Sequence, residues 1–232
     1  MSHYAVAVFS DSPDDMSFDA LLAPYSETDE AYFVFEPESE EEIRRHWERF
    51  VKDNPRWTYR DFLKEMYDER DGRCGHFHNP DAKWDWYTLD GKEYMYDLLP
   101  AESERLKDRV EPWPDHFLKS QVDWFRQDED QLSDDDLRKR WERLIEDGEL
   151  IWSGKYFLER YGNVEQYIRE MRRPKMPYAF ITPDGEWHAP GTMGWFAISD
   201  ETAESMDAYA KEWEDFIRNA PDCYVSIVDC HI

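Results

Sequence analysis

Cysteine and long apolar runs are scarce in this sequence. Cysteine occurs three times in 232 residues, at Cys74, Cys223 and Cys230, so a disulfide framework is not expected and a reducing compartment is favoured. No apolar run approaches the roughly 18 residues that span a bilayer. The first residues also lack the basic-then-apolar pattern of a secretory signal. These scarcities predict a protein of the cytoplasm.

Basic residues are scarce relative to acidic ones. The chain has 28 Lys and Arg against 54 Asp and Glu, for a formal net charge of −26 and a pI near 4.5. Such a surface repels nucleic-acid phosphates and anionic membranes, so direct binding to either is not expected. The complementary partner is a basic protein, typically one that itself binds nucleic acid. The alternative is that acidity only maintains solubility.

Recognisable catalytic motifs are missing. The sequence has no glycine-rich phosphate loop and no serine or cysteine nucleophile in a signature turn. No cofactor is therefore predicted, and the residues favour a protein that is not an enzyme while leaving that question open.

Aromatic residues, in contrast, are abundant: 11 Trp, 14 Tyr and 13 Phe make up 16% of the chain. Large rings fill core space efficiently, and some are expected at the surface as contact anchors.

The hydrophobic patterns predict an α+β protein. Strands are expected at residues 4–9, 31–35, 83–89, 178–182, 191–198 and 223–232, and helices at 39–51, 58–67, 115–127, 133–145 and 200–219. We expect a single domain over 1–232 with a mixed or antiparallel, ferredoxin-like sheet backed by helices. Its sheet core comprises 1–37 and 176–232, and a helical insertion occupies about 38–175.

Two segments of the insertion are alike. Residues 39–51 and 133–145 each begin with serine and three acidic residues and each contain Trp-Glu-Arg, at Trp47 and Trp141. The similarity predicts an internal repeat of two helix–turn–helix units. The alternative is convergence, because capped amphipathic helices share this pattern.

Several segments resemble a family of uncharacterised proteins from bacteriophages and prophages of Gram-positive hosts. The resemblance is carried by residues 21–25, 79–87 (NPDAKWDWY), 182–188 (TPDGEWH), 191–196 (GTMGWF) and 228–232 (VDCHI). Family members continue from the Trp-Asp-Trp-Tyr segment into a Gly-Gly-Arg-Trp turn, whereas this chain has Asp90-Gly91-Lys92-Glu93-Tyr94. The resemblance implies a phage accessory protein acting in the host cytoplasm.

The acidic runs are candidate contacts for a basic partner. They lie near predicted helix N-termini, where negative charge also offsets the helix dipole. In the functional interpretation they imitate the phosphates of nucleic acid and inhibit a host defence protein, such as a restriction or CRISPR component. The candidate residues are Glu38, Glu40, Glu41, Asp128, Glu129, Asp130, Asp134 and Asp135.

A second hypothesis is a small-molecule or nucleotide site, or an enzyme active site, in a cleft lined by tryptophan and histidine. Stacked rings bind bases, and histidine titrates near neutral pH. Alternation places Trp84 and Trp86 on one strand face, with Asp85 and Tyr87 on the other. The candidate residues are Trp84, Asp85, Trp86, Trp187, His188, Trp195, Asp229 and His231.

A metal site is the weaker interpretation of the segment 71–79, which is predicted to be a loop. Cys74, His76 and His78 would share one face of an extended segment, with Cys230 or His231 as a fourth ligand. Because the paired Cys-x-x-Cys spacing of zinc sites is missing, the sequence favours incidental histidines, and no metal is predicted.

Overall fold

A computed structural model describes residues 3–89, 116–122, 124–125, 132–148, 153–193 and 199–232. Helices and a mixed sheet are both present, which confirms the α+β class. The chain forms two compact units, one comprising Met1–Leu22 with Trp84–Ile232 and the other Ala23–Lys83. Two strands of the main sheet come from within the expected 38–175 insertion.

The strands of the described residues are β1 (His3–Ser10), β2 (Val34–Pro37), β3 (Asp68–Arg70), β4 (Arg73–His78), β5 (Trp86–Thr88), β6 (Phe117–Leu118), β7 (Ala179–Ile181), β8 (Trp187–His188) and β9 (Tyr224–His231). The helices are α1 (Asp15–Leu22), α2 (Glu40–Asp53), α3 (Tyr59–Met66), α4 (Asp134–Asp147), α5 (Gly154–Tyr161), α6 (Val164–Met171) and α7 (Ala203–Asn219). No helix among the described residues is both long and apolar enough to cross a membrane.

The larger unit is organised around one mixed sheet. Its strand order is β5-β9-β1-β7-β8, and β6 also pairs with β9. Strands β1 and β7 are parallel, and the other pairs are antiparallel. The central strands β1 and β9 are almost wholly buried, which explains their near-continuous apolar sequences. The ferredoxin-like arrangement stays a prediction.

Alternate residues of β1 and β9 face two different layers. Ala5, Ala7 and Phe9 share one face with their neighbours on β9, and there they join a core with Trp213 of α7. On the other side of β1, α1 contributes the buried Phe18. The predicted helix at 200–219 is thus confirmed as the cover of one sheet face.

Helices α4, α5 and α6 form a second core around Trp141, where that ring meets Tyr161 and Tyr167. Helix α4 has 14 residues and α5 has 8, the same lengths as α2 and α3. A serine caps both longer helices, and Ser39 forms a capping box with Glu42 at the start of α2. The duplication itself stays a prediction.

In the smaller unit, the sheet order is β2-β4-β3. Rings from α2 and α3 pack together: Phe62 lies 5.4 Å from Trp47 and 5.1 Å from Phe50, centroid to centroid. The Phe62 side chain is the buried member of this group. Aromatic burial therefore stabilises a unit that has few aliphatic core residues.

Two local predictions are wrong. Segment 71–79, predicted as a loop, contains β4 and a tight turn from β3, where Asp71 and Gly72 have positive φ values of 53° and 73°. Segment 115–127 is predicted as a helix, but its described residues include β6 and a 3-10 turn at 119–121. There the Lys119 ammonium is buried and donates to the carbonyl oxygens of Ile217 and Ala220, so tertiary contacts at the end of α7 override helical periodicity.

Gly75 is expected to be intolerant of a side chain. It lies in the central strand β4, and a Cβ at this position would stand 2.1 Å from the carbonyl oxygen of Glu36. Gly75→Ala should therefore lower the free energy of unfolding by about 2–3 kcal/mol. The control is Gly72→Ala, which meets no atom within 4 Å and only strains a positive φ, costing about 1 kcal/mol. Denaturant unfolding of the two variants measures the difference, and equal losses would contradict this packing.

Candidate functional site

Four residues of the predicted tryptophan–histidine cleft come together at one end of the main sheet. They are Asp85, which precedes β5, Trp86, the first residue of β5, and Asp229 and His231, near the end of β9. A fifth residue, His3, joins them from the first position of β1. We call these five residues the His–Asp centre.

Strand register brings these residues together. His231 of β9 pairs with His3 of β1 on one side and with Trp86 of β5 on the other. Directly paired residues point to the same sheet face, and so does Asp229, two positions before His231. The centre therefore lies on the sheet face that α7 covers, beyond the apolar part of that face. Ala5 is the residue of β1 in the apolar part that lies nearest to the centre.

His231 is held by Asp85. Its Nδ1 lies 2.6 Å from Asp85 Oδ1, which also accepts from the backbone N–H of Trp86 at 2.8 Å. Since the carboxylate accepts, Nδ1 carries the proton in this pair. The His231 residue is only 3% exposed, and its Nε2 has no hydrogen-bond partner among the described residues.

His3 and Asp229 form a second, more accessible pair. His3 Nδ1 donates to Asp229 Oδ2 over 3.0 Å, and 42% of the His3 side chain is exposed. The other Asp229 oxygen, Oδ1, is buried and has no hydrogen-bond partner within the described part of the chain. The His3 ring meets the His231 ring edge to face, with centroids 5.1 Å apart. Two carboxylate-held imidazoles thus lie side by side.

Trp86 supplies an aromatic surface to the centre. Its ring stacks on His231 with centroids 4.8 Å apart and an interplanar angle of 20°, and its edge contact with His3 is 5.8 Å. The residue remains 42% exposed, close to Trp57 at 37%, whereas Trp84, Trp124, Trp141 and Trp213 are buried. The centre therefore combines an accessible ring with hydrogen-bond acceptors on Asp85, Asp229 and His3.

Behind the centre, on the opposite sheet face, the environment is apolar. Burial raises the pKa of the Tyr4 phenol, with smaller contributions from Cys230, Tyr178 and Asp85. Burial also raises the pKa of the Cys230 thiol well above its ordinary value. A thiol kept protonated is a poor nucleophile, so Cys230 fits a packing role.

Other predicted cleft residues lie elsewhere. The expected alternation of Trp84 and Trp86 is wrong, because Trp84 packs on Tyr87 at 5.2 Å while Asp85 reaches His231 beside Trp86. A bend at Asp85 precedes β5 and breaks the strand periodicity. Trp84 is buried.

Trp187 and His188 lie on β8 at the far edge of the sheet, three strands from β9. That separation is roughly 14 Å at the usual strand spacing. His188 instead stacks on Phe180 at 4.5 Å, beside Glu212. Trp195 lies outside the described residues.

The acidic candidates of the smaller unit differ in their surroundings. Glu38 accepts from His76 Nε2 over 3.0 Å and lies 3.4 Å from His46 Nδ1, so its charge has local partners. Glu40 and Glu41 are exposed in the first turn of α2, and Arg44 follows one turn later on the same surface. Their charge is thus interleaved with basic side chains.

In the larger unit, Asp134 forms an ion pair with Arg172, their closest atoms 2.7 Å apart, whereas Asp135 is exposed in the same turn. Asp128, Glu129 and Asp130 lie outside the described residues. The described acidic turns therefore keep exposed negative charge at Asp135, Glu40 and Glu41. Arg44 compensates part of the charge of Glu40 and Glu41.

The residues considered for metal binding do share a strand. Cys74, His76 and His78 alternate along β4, and His76 and His78 pair with Glu38 and Glu36. Within the described residues, no group of three or more His, Cys, Asp or Glu side chains is arranged to hold a metal ion.

His3 is the site residue that sequence reasoning missed. A histidine before an apolar strand carries no local signal, and only the register of β1 against β9 places it beside His231.

Comparisons with known proteins identify no family for this chain. No protein-family model matches the chain, and neither a curated protein nor a solved structure does. The resemblance to phage proteins therefore stays a prediction.

Proposed function

We propose that the His–Asp centre binds a purine nucleoside, with the base against Trp86. The observation that carries this proposal is the exposed Trp86 ring, stacked on His231 and bordered by the Asp85 carboxylate. Base–aromatic stacking contributes about 1–3 kcal/mol per base. An indole that is both exposed and held in place by a buried partner is suited to this contact.

The polar groups of the centre select the kind of base. An ionised carboxylate only accepts hydrogen bonds, and the Nδ1 proton of His3 is directed to Asp229, which leaves its Nε2 as an acceptor. The centre therefore favours a base edge that donates. Guanine offers two adjacent donors to these acceptors, its ring N–H and its 2-amino group.

Charge argues for a nucleoside rather than a nucleotide. The chain carries −26 formal charges, and two carboxylates border the centre. A phosphate group would be repelled, more strongly at low salt than at high salt.

Isothermal titration with guanosine, inosine and guanosine 5′-monophosphate tests the proposal. Inosine differs from guanosine only in lacking the 2-amino group, and we expect it to bind at least about tenfold more weakly. The monophosphate should bind more weakly than guanosine, with a gap that narrows as salt rises. Trp86→Leu should abolish guanosine binding, whereas Trp57→Leu in the smaller unit should not. Absence of guanosine binding, or equal binding by the Trp86 variant, would rule the proposal out.

A second function is supported by the net charge and by exposed acidic side chains. We propose that the exposed acidic turns dock on a basic, nucleic-acid-binding host protein in the cytoplasm and inhibit it, as expected of a phage accessory protein. Support comes from the formal charge of −26 and from the exposure of Glu40, Glu41 and Asp135. Such contacts mainly accelerate association and depend on salt.

Affinity capture from a Gram-positive host lysate, at low and physiological salt, tests this second proposal. The triple variant Glu40→Gln/Glu41→Gln/Asp135→Asn should lose at least half of any basic partner captured by the natural sequence. The matched control is Glu159→Gln, another exposed acidic residue, which pairs with Lys155. Recovery of no basic protein at either salt concentration would count against inhibition by charge mimicry.

A further inference from the structure

A separate cavity of about 270 Å³ lies within the larger unit, away from the His–Asp centre. The ends of α5 and α6, the segment 173–176 and the start of α7 surround it. Its volume falls just below the roughly 300–1,000 Å³ of sites for drug-sized ligands, so it suits a smaller molecule. The lining residues that matter are Arg160, Glu170, Arg173, Met176, Glu201 and Met206.

Glu201 gives the cavity a buried carboxylate that is only half satisfied. Its side chain is 7% exposed, and Oε1 forms an ion pair with Arg160. Its Oε2 has no hydrogen-bond partner among the described residues. A buried charged oxygen without a donor is unfavourable, so a ligand that supplies a cationic donor would relieve this position.

Arg173 contributes an unpaired hydrogen-bond donor to the cavity. Its side chain is 13% exposed, and the guanidinium donates to Glu170 Oε1 over 2.7 Å, to the Asp207 carboxylate, and to the Met206 carbonyl oxygen over 2.9 Å. Its Nε–H finds no acceptor within the described part of the chain. A ligand with a hydrogen-bond acceptor in reach of Nε–H would complete the hydrogen bonding of this residue.

The start of α7 adds to the attraction for negative charge. Ala203, the first residue of α7, lines the cavity, and Thr202 caps the helix by accepting from the backbone N–H of Ser205. The remaining first-turn amides have no partner within their own helix, and the dipole of this 17-residue helix favours an anion there.

The rest of the lining is apolar and adaptable. Met171, Met176, Met206 and Pro174 contribute to the wall. Methionine side chains adjust to ligands of differing shape because they are unbranched and polarisable. The cavity thus combines a carboxylate with one unpaired oxygen, a guanidinium with one unpaired N–H and an apolar wall.

We propose that this cavity binds a free L-α-amino acid with an apolar side chain. The ammonium group is recognised by Glu201, the carboxylate by Arg173 and the start of α7, and the side chain by the methionines. A zwitterion meets both requirements at once and leaves the charge of the site unchanged.

Capped ligands test this proposal on the natural sequence. In isothermal titration, L-methionine and L-leucine are expected to bind saturably. N-acetyl-L-methionine lacks the ammonium and L-methioninamide lacks the carboxylate, so each should bind at least about tenfold more weakly. Absence of binding by either free amino acid, or equal binding of a capped form, would overturn the proposal.

A pair of variants tests the role of Glu201. Glu201→Gln should weaken L-methionine binding at least about tenfold, whereas the exposed control Glu159→Gln on α5 should not change it. Unchanged affinity in Glu201→Gln would overturn the assignment. If Glu201→Gln does not fold, the capped-ligand series on the natural sequence decides alone. Guanosine titration of the same samples reports separately on the His–Asp centre.

Discussion

Replacing Trp213 by alanine is expected to lower the free energy of unfolding by about 3–5 kcal/mol. The Trp213 ring is 2% exposed and touches three other rings of the main core: it lies 6.0 Å from Phe9, 5.2 Å from Trp124 and 5.3 Å from Phe180, centroid to centroid. Its removal would leave a cavity between α7 and the sheet that rings fixed on a strand cannot fill.

The matched control is Trp86→Ala, which removes the same side chain from a half-exposed position. We expect that change to cost about 1 kcal/mol or less. Denaturant unfolding followed by far-UV circular dichroism measures both variants without relying on tryptophan fluorescence. Similar losses in the two variants would show that the core is not centred on the contact of α7 with β1 and β7.

Asp85→Asn is expected to weaken guanosine binding about 10–100-fold while leaving the fold intact. The asparagine oxygen can still accept from His231 Nδ1 and from the Trp86 amide, as the natural carboxylate does. What is lost is the negative charge and the second acceptor oxygen, and hydrogen bonds to a charged group contribute about 1.5–3 kcal/mol.

Glu212→Gln is the control for Asp85→Asn. Glu212 lies beside His188, at the opposite edge of the sheet. It is therefore not part of the proposed binding site. Titration calorimetry on both variants gives the comparison. Loss of binding in the Glu212 variant, or full affinity in the Asp85 variant, would show that the base does not contact Asp85.

Local sequence signals predicted much of the secondary structure. The helices predicted at 39–51 and 200–219 are α2 and α7, and the strand predicted at 223–232 is β9. These elements have strong intrinsic patterns that tertiary contacts do not oppose. Segment 117–121 was mispredicted because burial of Lys119 against the end of α7 is a contact distant in sequence.

The candidate site was only partly predictable for a related reason. Asp85, Trp86, Asp229 and His231 stood out as unusual residue types near strands, and they do converge. Trp187 and His188 looked equivalent in sequence, yet the strand order places them at the other edge. His3 joins the site only through the register of β1 against β9, which residue patterns alone do not determine.

The most direct test of the His–Asp centre is a long-range ¹H–¹⁵N NMR spectrum of the histidine rings during titration with guanosine. The chain has seven histidines, so single substitutions can assign every ring. We expect the nitrogen resonances of His3 and His231 to shift together and saturate at one dissociation constant, while those of His188 and His76 do not move. Unchanged His3 and His231 resonances at saturating guanosine would contradict it.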